Sequence, residues 1–492
     1  MNRYDTIVIG SGLSGLYTAL LLAKRGKKVA IVEKNNQYGG NLQTFSRNKV
    51  LFDTGVHYLG SLAEGEVLYN YFKEVGIMED LTLERLNTDA YDRICFGDTP
   101  AIEYPHAQGY ENFIRQLLVY FPEEETALRR YAEEMQAVCD RFPLYRNRRE
   151  TERYDIDLLS RKLLPFLDAI TTNERLKAVL LGSNFLYAGV SEQTPLYVHA
   201  LSVNSYIQSA WRLKKGGSQI TNLLIKQLRK LRVELFKNTE ITGFQLDTQH
   251  SITGAISADN AVFEADSFVS AIDIKALLQL TGKTPFKPSF YNRVMRLQPV
   301  ASVFSLHLVL KPKSFPYLPY NVYWFSDEAS VYRTYPEAGA APHTYMLSMS
   351  PPREEDGYSD NATILTYMSP EEVAPWADTF NTKNAPNDRT EEYEAFKAAK
   401  AEALLAVVCE KYPTLREAIA YSYTSTPLTY RDYIGNPTGA IYGYQKNADR
   451  IMESVIMPQT HIKNLYLTGQ SIGMHGLVGV TIKAVVCAEV IP

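Results

Sequence analysis

Between Tyr4 and Glu33 the apolar positions change period twice. Ile7-Val8-Ile9 is a short β-branched run that predicts a strand. Leu16 to Lys24 then repeats apolar residues at helical spacing, and Lys28-Val29-Ala30-Ile31-Val32 predicts a second strand ending on Glu33. A strand, a turn, a helix and a parallel strand make one βαβ unit. From about Val67 to Ser202 the pattern is mostly helical. Phe113 to Tyr120 and Glu123 to Phe142 predict helices, with Pro122 placed to start the second. Asn147-Arg148-Arg149-Glu150 and the charges after it predict a solvated loop. Leu158-Leu159, Leu163 to Leu167 and Leu176 to Leu181 read as core stripes, with a face resting on a membrane as the alternative.

Arg212-Leu213-Lys214-Lys215-Gly216-Gly217-Ser218 reads as a break before a helix from Gln219 to Lys230. Strands are predicted over Val233 to Phe236, Glu240 to Leu246, Ile252 to Ile256 and Ser267 to Ala271. Val303 to Leu310 and Ala362 to Tyr367 read as strands, and Glu391 to Tyr412 as an amphipathic helix. Asp356 to Asn361 reads as a polar surface turn. The last elements are a strand at Asn464 to Thr468, a glycine-rich turn, and a helix continuing to Glu489.

A chain of 492 residues is too long for one small core, so two or three domains are expected. Apolar content of 45% and charged content of 22% are those of a soluble globular protein. A net charge of −4 without a long basic block gives no footprint for nucleic acid. The four cysteines stand far apart, which argues against a disulfide scaffold or a zinc site and for a reducing compartment. No secretory segment precedes the first strand and no run of 18 apolar residues occurs. A cytoplasmic location follows as the expectation, with peripheral membrane contact left open. Most of the 34 tyrosines are expected to pack at half-buried surfaces and a minority to line a pocket.

The chemistry sits in the turns. Gly10, Gly12 and Gly15 follow the first strand as G-x-G-x-x-G. The first allows a tight turn, the second lets backbone approach a pyrophosphate, and the third lets helix and strand pack closely. The helix N-terminus offers free N–H groups and a positive dipole end. Glu33 stands where an acid can accept hydrogen bonds from ribose hydroxyls. These features point to an ADP-containing dinucleotide, NAD or FAD. Two further glycine segments follow: Gly39-Gly40, and Gly55 with Gly60 around His57. A last strand–turn–helix unit spans Gly469 to Val480. Glycine-rich turns at both ends of the chain suit FAD, which is long enough to need both.

The segments Tyr4 to Gly60 and Gly469 to Val480 resemble the flavin-dependent phytoene desaturase, carotenoid isomerase and retinol saturase family. The run Asp53-Thr54-Gly55-Val56-His57-Tyr58-Leu59-Gly60 is its most specific part. Asn41-Leu42 stand where many relatives carry arginine, serine or cysteine, and Gln470 stands where many carry an acid. The resemblance implies an α/β fold: a Rossmann-like FAD-binding domain of the two-dinucleotide-binding-domain type, with an inserted α+β substrate domain. The FAD-binding domain is expected at 1–68, 203–291 and 434–492, and the substrate domain at 69–202 and 292–433. Implied cofactor contacts are Gly10, Gly12, Leu13, Ser14, Gly15, Glu33, Lys34, Gly39, Gly40, Asn41, Gly55, Val56, His57, the backbone of Ile241, and Gly469, Gln470, Gly479 and Val480.

No serine–histidine–acid order, H-E-x-x-H or carboxylate pair stands out, so no metal is expected. Flavin chemistry needs few protein acids and bases. His57 and His475 are the candidate catalytic helpers, each with ordinary packing as the alternative, and Tyr58, Tyr442 and Tyr444 are candidates for the pocket mouth. The family implies an apolar polyene substrate, with NAD(P)H as a candidate electron donor. An amine-oxidase-like flavoprotein and a non-catalytic FAD or lipid binder are the alternatives. The oligomeric state stays open.

Overall fold

The computed structural model describes residues 3–97, 102–149, 155–337, 339–354, 356–382 and 389–492. Most of the solvated loop expected after Arg149 lies outside them. A five-stranded parallel sheet runs in the order Glu234–Phe236, Val29–Val32, Tyr4–Ile9, Ala265–Ser270, Leu465–Leu467. Period-two alternation splits its side chains between two faces. Val8, Ile31 and Val269 face one core, whereas Ile7, Ile9, Val32 and Phe268 face another.

Helix Leu13–Lys24 is buried along its length from Leu13 to Ala23. A helix that is apolar all round belongs inside a protein. Here it is flanked by helices Gly476–Val490 and Ser218–Lys230. Arg25 reaches over to donate to the Ala488 carbonyl at 2.5 Å. The antiparallel strands Ile241–Leu246, Ile252–Ser257 and Val262–Phe263 cover the other face with helix Ile274–Thr281.

A seven-stranded sheet carries the rest. Its order is Ile419–Ser425, Val303–Leu310, Asn361–Tyr367, Thr344–Ser348, Asn321–Phe325, Asp92–Phe96, Glu103–His106. The pairing is antiparallel except where Asn321–Phe325 lies parallel to Asp92–Phe96, joining two distant segments in one sheet. Helices Glu125–Asp140, Leu163–Ile170 and Leu196–Gln208 pack together beside it. The first of these starts at Glu125, so Pro122 belongs to the preceding turn rather than to the helix.

The structure adds one element that the sequence reading does not contain and changes another. Thr44–Arg47 and Val50–Asp53 pair as a hairpin whose turn residues, Asn48 and Lys49, both have positive φ (47° and 65°). Lys49 stands where such a turn favours glycine, which hides the signal. Arg212 is also not part of a break: Ala210–Leu213 is a strand, pairing with Leu59–Gly60 and Leu83–Arg85. The turn begins only at Lys214.

Arg212 is 1% exposed. Its guanidinium donates to Tyr317 Oη (2.9 Å), the Leu318 carbonyl (2.7 Å), the Tyr320 carbonyl (2.9 Å) and Asn321 Oδ1 (2.8 Å). One side chain thereby ties the short sheet to the seven-stranded one. Replacing it with methionine leaves several buried acceptors unpaired, and stability is expected to fall by about 3 kcal/mol or more. The denaturant midpoint measures this. Arg129→Met, which removes an exposed pair with Glu125, serves as the control and should leave the midpoint unchanged.

Candidate cofactor and active site

Ligands of open parallel sheets bind outside the carboxyl ends of the strands. A cavity of about 410 Å³ lies there, reached by Ile9, Val32, Ala271 and Gly469. Close approaches of backbone shape its floor. Gly10 has φ +97°, and a Cβ on Gly15 would fall 2.2 Å from the Gly10 carbonyl oxygen. Gly12 differs: a Cβ there would meet nothing within 4 Å, so a side chain would project into open space. Gly39 and Gly40 fold back on this turn, with the Gly39 N–H donating to the Ser11 carbonyl at 3.0 Å. A Cβ on Gly40 would stand 3.2 Å from Gly12 Cα.

Glu33 is buried and already partly engaged. Its Oε2 accepts from the Ser11 N–H (3.0 Å) and hydroxyl (2.6 Å), and its Oε1 from the Asn35 N–H (2.8 Å). Oε2 is thereby filled, while Oε1 retains capacity for a further hydrogen bond. The acid therefore braces the first turn besides facing the cavity. Lys34 donates to the Asp432 carbonyl at 3.2 Å. Asp53 accepts from the Gly217 N–H at 2.6 Å, and burial pushes its pKa up to about 7.

Two helix N-termini converge on the cavity. Helices Leu13–Lys24 and Gly476–Val490 both start without a side-chain cap or a first-turn acid among the described residues. A Cβ on Gly469 would lie 3.4 Å from Ser14 Oγ, so the last turn of the chain touches the start of the first helix. Uncapped N–H groups and aligned dipoles make such a place suited to anionic and carbonyl groups.

Most sequence-nominated residues line this one cavity. Gly10, Gly12, Leu13, Ser14, Glu33 and Lys34 do so from the first βαβ unit. Gly39, Gly40, Asn41, Gly55, Val56 and His57 follow from the next two glycine segments, and Ile241, Gly469, Gln470 and Val480 complete the set. Gly15 is not in the wall; it packs on Gly10. Gly479 and His475 line a second cavity of about 170 Å³ instead. Helical periodicity explains the split. Val480 faces the main cavity, whereas Gly479, Ile482 and Lys483 share the face toward the second. Tyr444 also departs from expectation: its hydroxyl donates to Asp273 at 2.9 Å, away from the main cavity's aromatic wall.

That wall is formed by Tyr58, Phe185, Tyr206, Tyr323, Tyr430 and Tyr442. Tyr58 and Tyr206 have ring centroids 4.6 Å apart. Behind them runs a buried polar chain that the sequence motifs do not announce. The Tyr58 and Tyr323 hydroxyls lie 2.6 Å apart, Tyr58 donates to Asp92 at 2.9 Å, and Asn321 donates to the other Asp92 oxygen at 2.9 Å. Asn321 in turn accepts from Arg212. Burial raises the Asp92 carboxyl to about 7 against the opposing hydrogen bonds of Asn321 and Tyr58. His57 is pushed down to about 4, by burial first and by the Arg212 charge second. His475 is also lowered to about 4, by burial and then by Lys446, and stacks on Tyr442 with centroids 4.2 Å apart.

Known proteins of similar sequence and shape agree with this geometry. All-trans-retinol 13,14-reductase from Homo sapiens is 27% identical over 99% of this chain and 85% of its own length. The 4,4'-diapolycopene oxygenase of Methylomonas sp is 22% identical, covering 97% of this chain and 96% of its own. Among solved structures, an oxidoreductase from Methanosarcina mazei superposes with a TM-score of 0.66 at 15% identity, covering 98% of this chain and 99% of its own. The Rossmann-like, flavoprotein-type α/β fold is thereby established. Residues 13–392 match the model of the flavin containing amine oxidoreductases. This chain belongs to that family and is a flavin-dependent oxidoreductase.

Proposed function

We propose that the protein reduces a carbon–carbon double bond of a long apolar polyene, in the manner of a retinol saturase. The observation that carries this reading is the aromatic wall of the main cavity backed by the Tyr323–Tyr58–Asp92 chain. The carboxylates lining the cavity, Glu33, Glu240 and Asp273, belong to the end formed by the first turn and Ile241. The aromatic end is left to the uncharged, apolar stretch of a substrate.

The residues present fit FAD. Gly10, Gly12, Ser14 and Glu33 hold the ADP half, with the Ile241 backbone beside the adenine, while Gly469, Gln470 and Val480 hold the ribityl and ring end. Open space at Gly12 and two uncapped helix starts on one cavity support this assignment. FAD held there would supply hydride chemistry to a substrate carbon, with NAD(P)H as the proposed electron donor.

The neighbouring carbon needs a proton. With Asp92 ionised, Tyr58 donates to it. With Asp92 protonated the chain runs the other way, Asp92 donating to Tyr58 and Tyr58 to Tyr323, whose hydroxyl proton passes to that carbon. His57, neutral at physiological pH, is a wall group of the cavity rather than an imidazolium acid. His475 holds the Tyr442 ring in place and is a positioning residue. Among the described residues no helix is long and apolar enough to cross a membrane. An apolar substrate then arrives by peripheral contact or on a carrier.

Anaerobic incubation with a retinoid and carotenoid panel and NADPH should yield a product two mass units heavier; products of unchanged mass only would contradict the reading. Tyr58→Phe should lower kcat by about 10²-fold, and the wild-type rate should fall as pH rises through about 7, where Asp92 loses its proton. Asp92→Asn should flatten that limb of the pH profile. Gly12→Val should yield colourless protein of near-normal thermal stability, since its side chain enters space meant for cofactor. Flavin absorbance and a thermal melt measure the two parts.

A further inference from the structure

The second cavity has a chemistry that the main one lacks. Leu144, Leu158, Leu159 and Leu201 contribute to a mostly apolar wall, into which two lysines are set, Lys446 and Lys483. They come from different elements: Lys446 follows the Tyr442–Tyr444 segment, and Lys483 projects from helix Gly476–Val490. A Cβ on Gly473 would stand 2.5 Å from Lys483 Cγ and Cε, so glycine there makes room for the lysine stem.

Lys446 has no carboxylate partner among the described residues. Its ammonium donates a long 3.4 Å hydrogen bond to the Ser454 carbonyl. Burial, and then the charge of Lys483, lower it to about 8. Asp155, the one carboxylate among the described lining residues, is taken up by Arg141 and by capping helix Ile156–Ser160. His475 Nε2 is a third polar group of this chamber, buried without a hydrogen-bond partner among the described residues. An ammonium held beside a second cation in an apolar chamber gains from an anion brought next to it.

We infer that this chamber binds the carboxylate end of a long apolar chain. Lys446 takes the carboxylate, Lys483 adds its charge from beside it, and the leucine wall takes the stem. Tyr206 and Tyr442 line both cavities. A chain anchored by its acid end therefore extends toward the aromatic wall of the main cavity. The link to turnover rests on the polyene reading above and makes the substrate class a polyene carboxylic acid; the binding site itself stands without that reading.

Calorimetric titration of the holoprotein with dodecanoate and with dodecanol separates the head group from the tail. Dodecanoate should bind about tenfold tighter or more, the worth of a charge-assisted hydrogen bond. Lys446→Met should abolish this preference while leaving dodecanol affinity and flavin content unchanged, and Lys483→Met should reduce it. Should Lys446→Met not accumulate as holoprotein, Lys446→Gln and Lys483→Met carry the same comparison. Equal wild-type affinities, or an acid preference that survives the lysine variants, would overturn the inference. Reduction of a polyene without any acid preference sinks this site alone. An acid preference in protein that leaves every polyene unchanged sinks the polyene reading and retains the site.

Discussion

The buried guanidinium of Arg212 is the interaction on which the active cavity depends. A cation without water around it must find acceptors, and Arg212 finds them on a segment more than a hundred residues away, Tyr317 to Asn321. That requirement docks the sheet carrying Tyr58 against the sheet carrying Tyr323. Its charge also reaches the chemistry: it lowers the pKa of His57 and opposes the burial that raises Asp92. Packing and electrostatics are therefore set by the same side chain.

The cofactor end obeys a different constraint, the close approach of backbone to backbone. Gly15 lies against the Gly10 carbonyl, Gly40 against Gly12, and Gly443 against the Gln470 carbonyl. A Cβ at these contacts would open the first turn, lift the Gly39–Gly40 loop off it, and push the segment around Gly443 away from the last turn. With both helix starts held together, a single cavity meets two sets of free N–H groups. A long dinucleotide needs such a pair, since its charged centre and its ring lie far apart.

The sequence made the cofactor end legible because its signals are local. Glycines at fixed spacing, a β-branched strand and an acid at a fixed distance announce one turn without any knowledge of the rest. What was not legible is what depends on distant partners. Tyr58 meets Asp92 and Tyr323 only because the sheets dock. Arg212 carried a weak signal, a lone charge inside the apolar alternation Ala-Trp-Arg-Leu, and adjacent lysines concealed it. The placement of Gly479 and His475 turned on helix phase, which a glycine-rich motif does not reveal.

The parallel sheet has a consequence for how the chain becomes active. Its central strand is Tyr4–Ile9, yet its edge is Leu465–Leu467, and the helix starting at Gly476 completes the cavity. Local helices such as Glu125–Asp140 can form early during synthesis, but these pairings close loops of hundreds of residues. The first turn must therefore wait, with its apolar helix unpaired, until almost the whole chain has been made. The cavity between the two turns is then completed only when the last turn has reached the first.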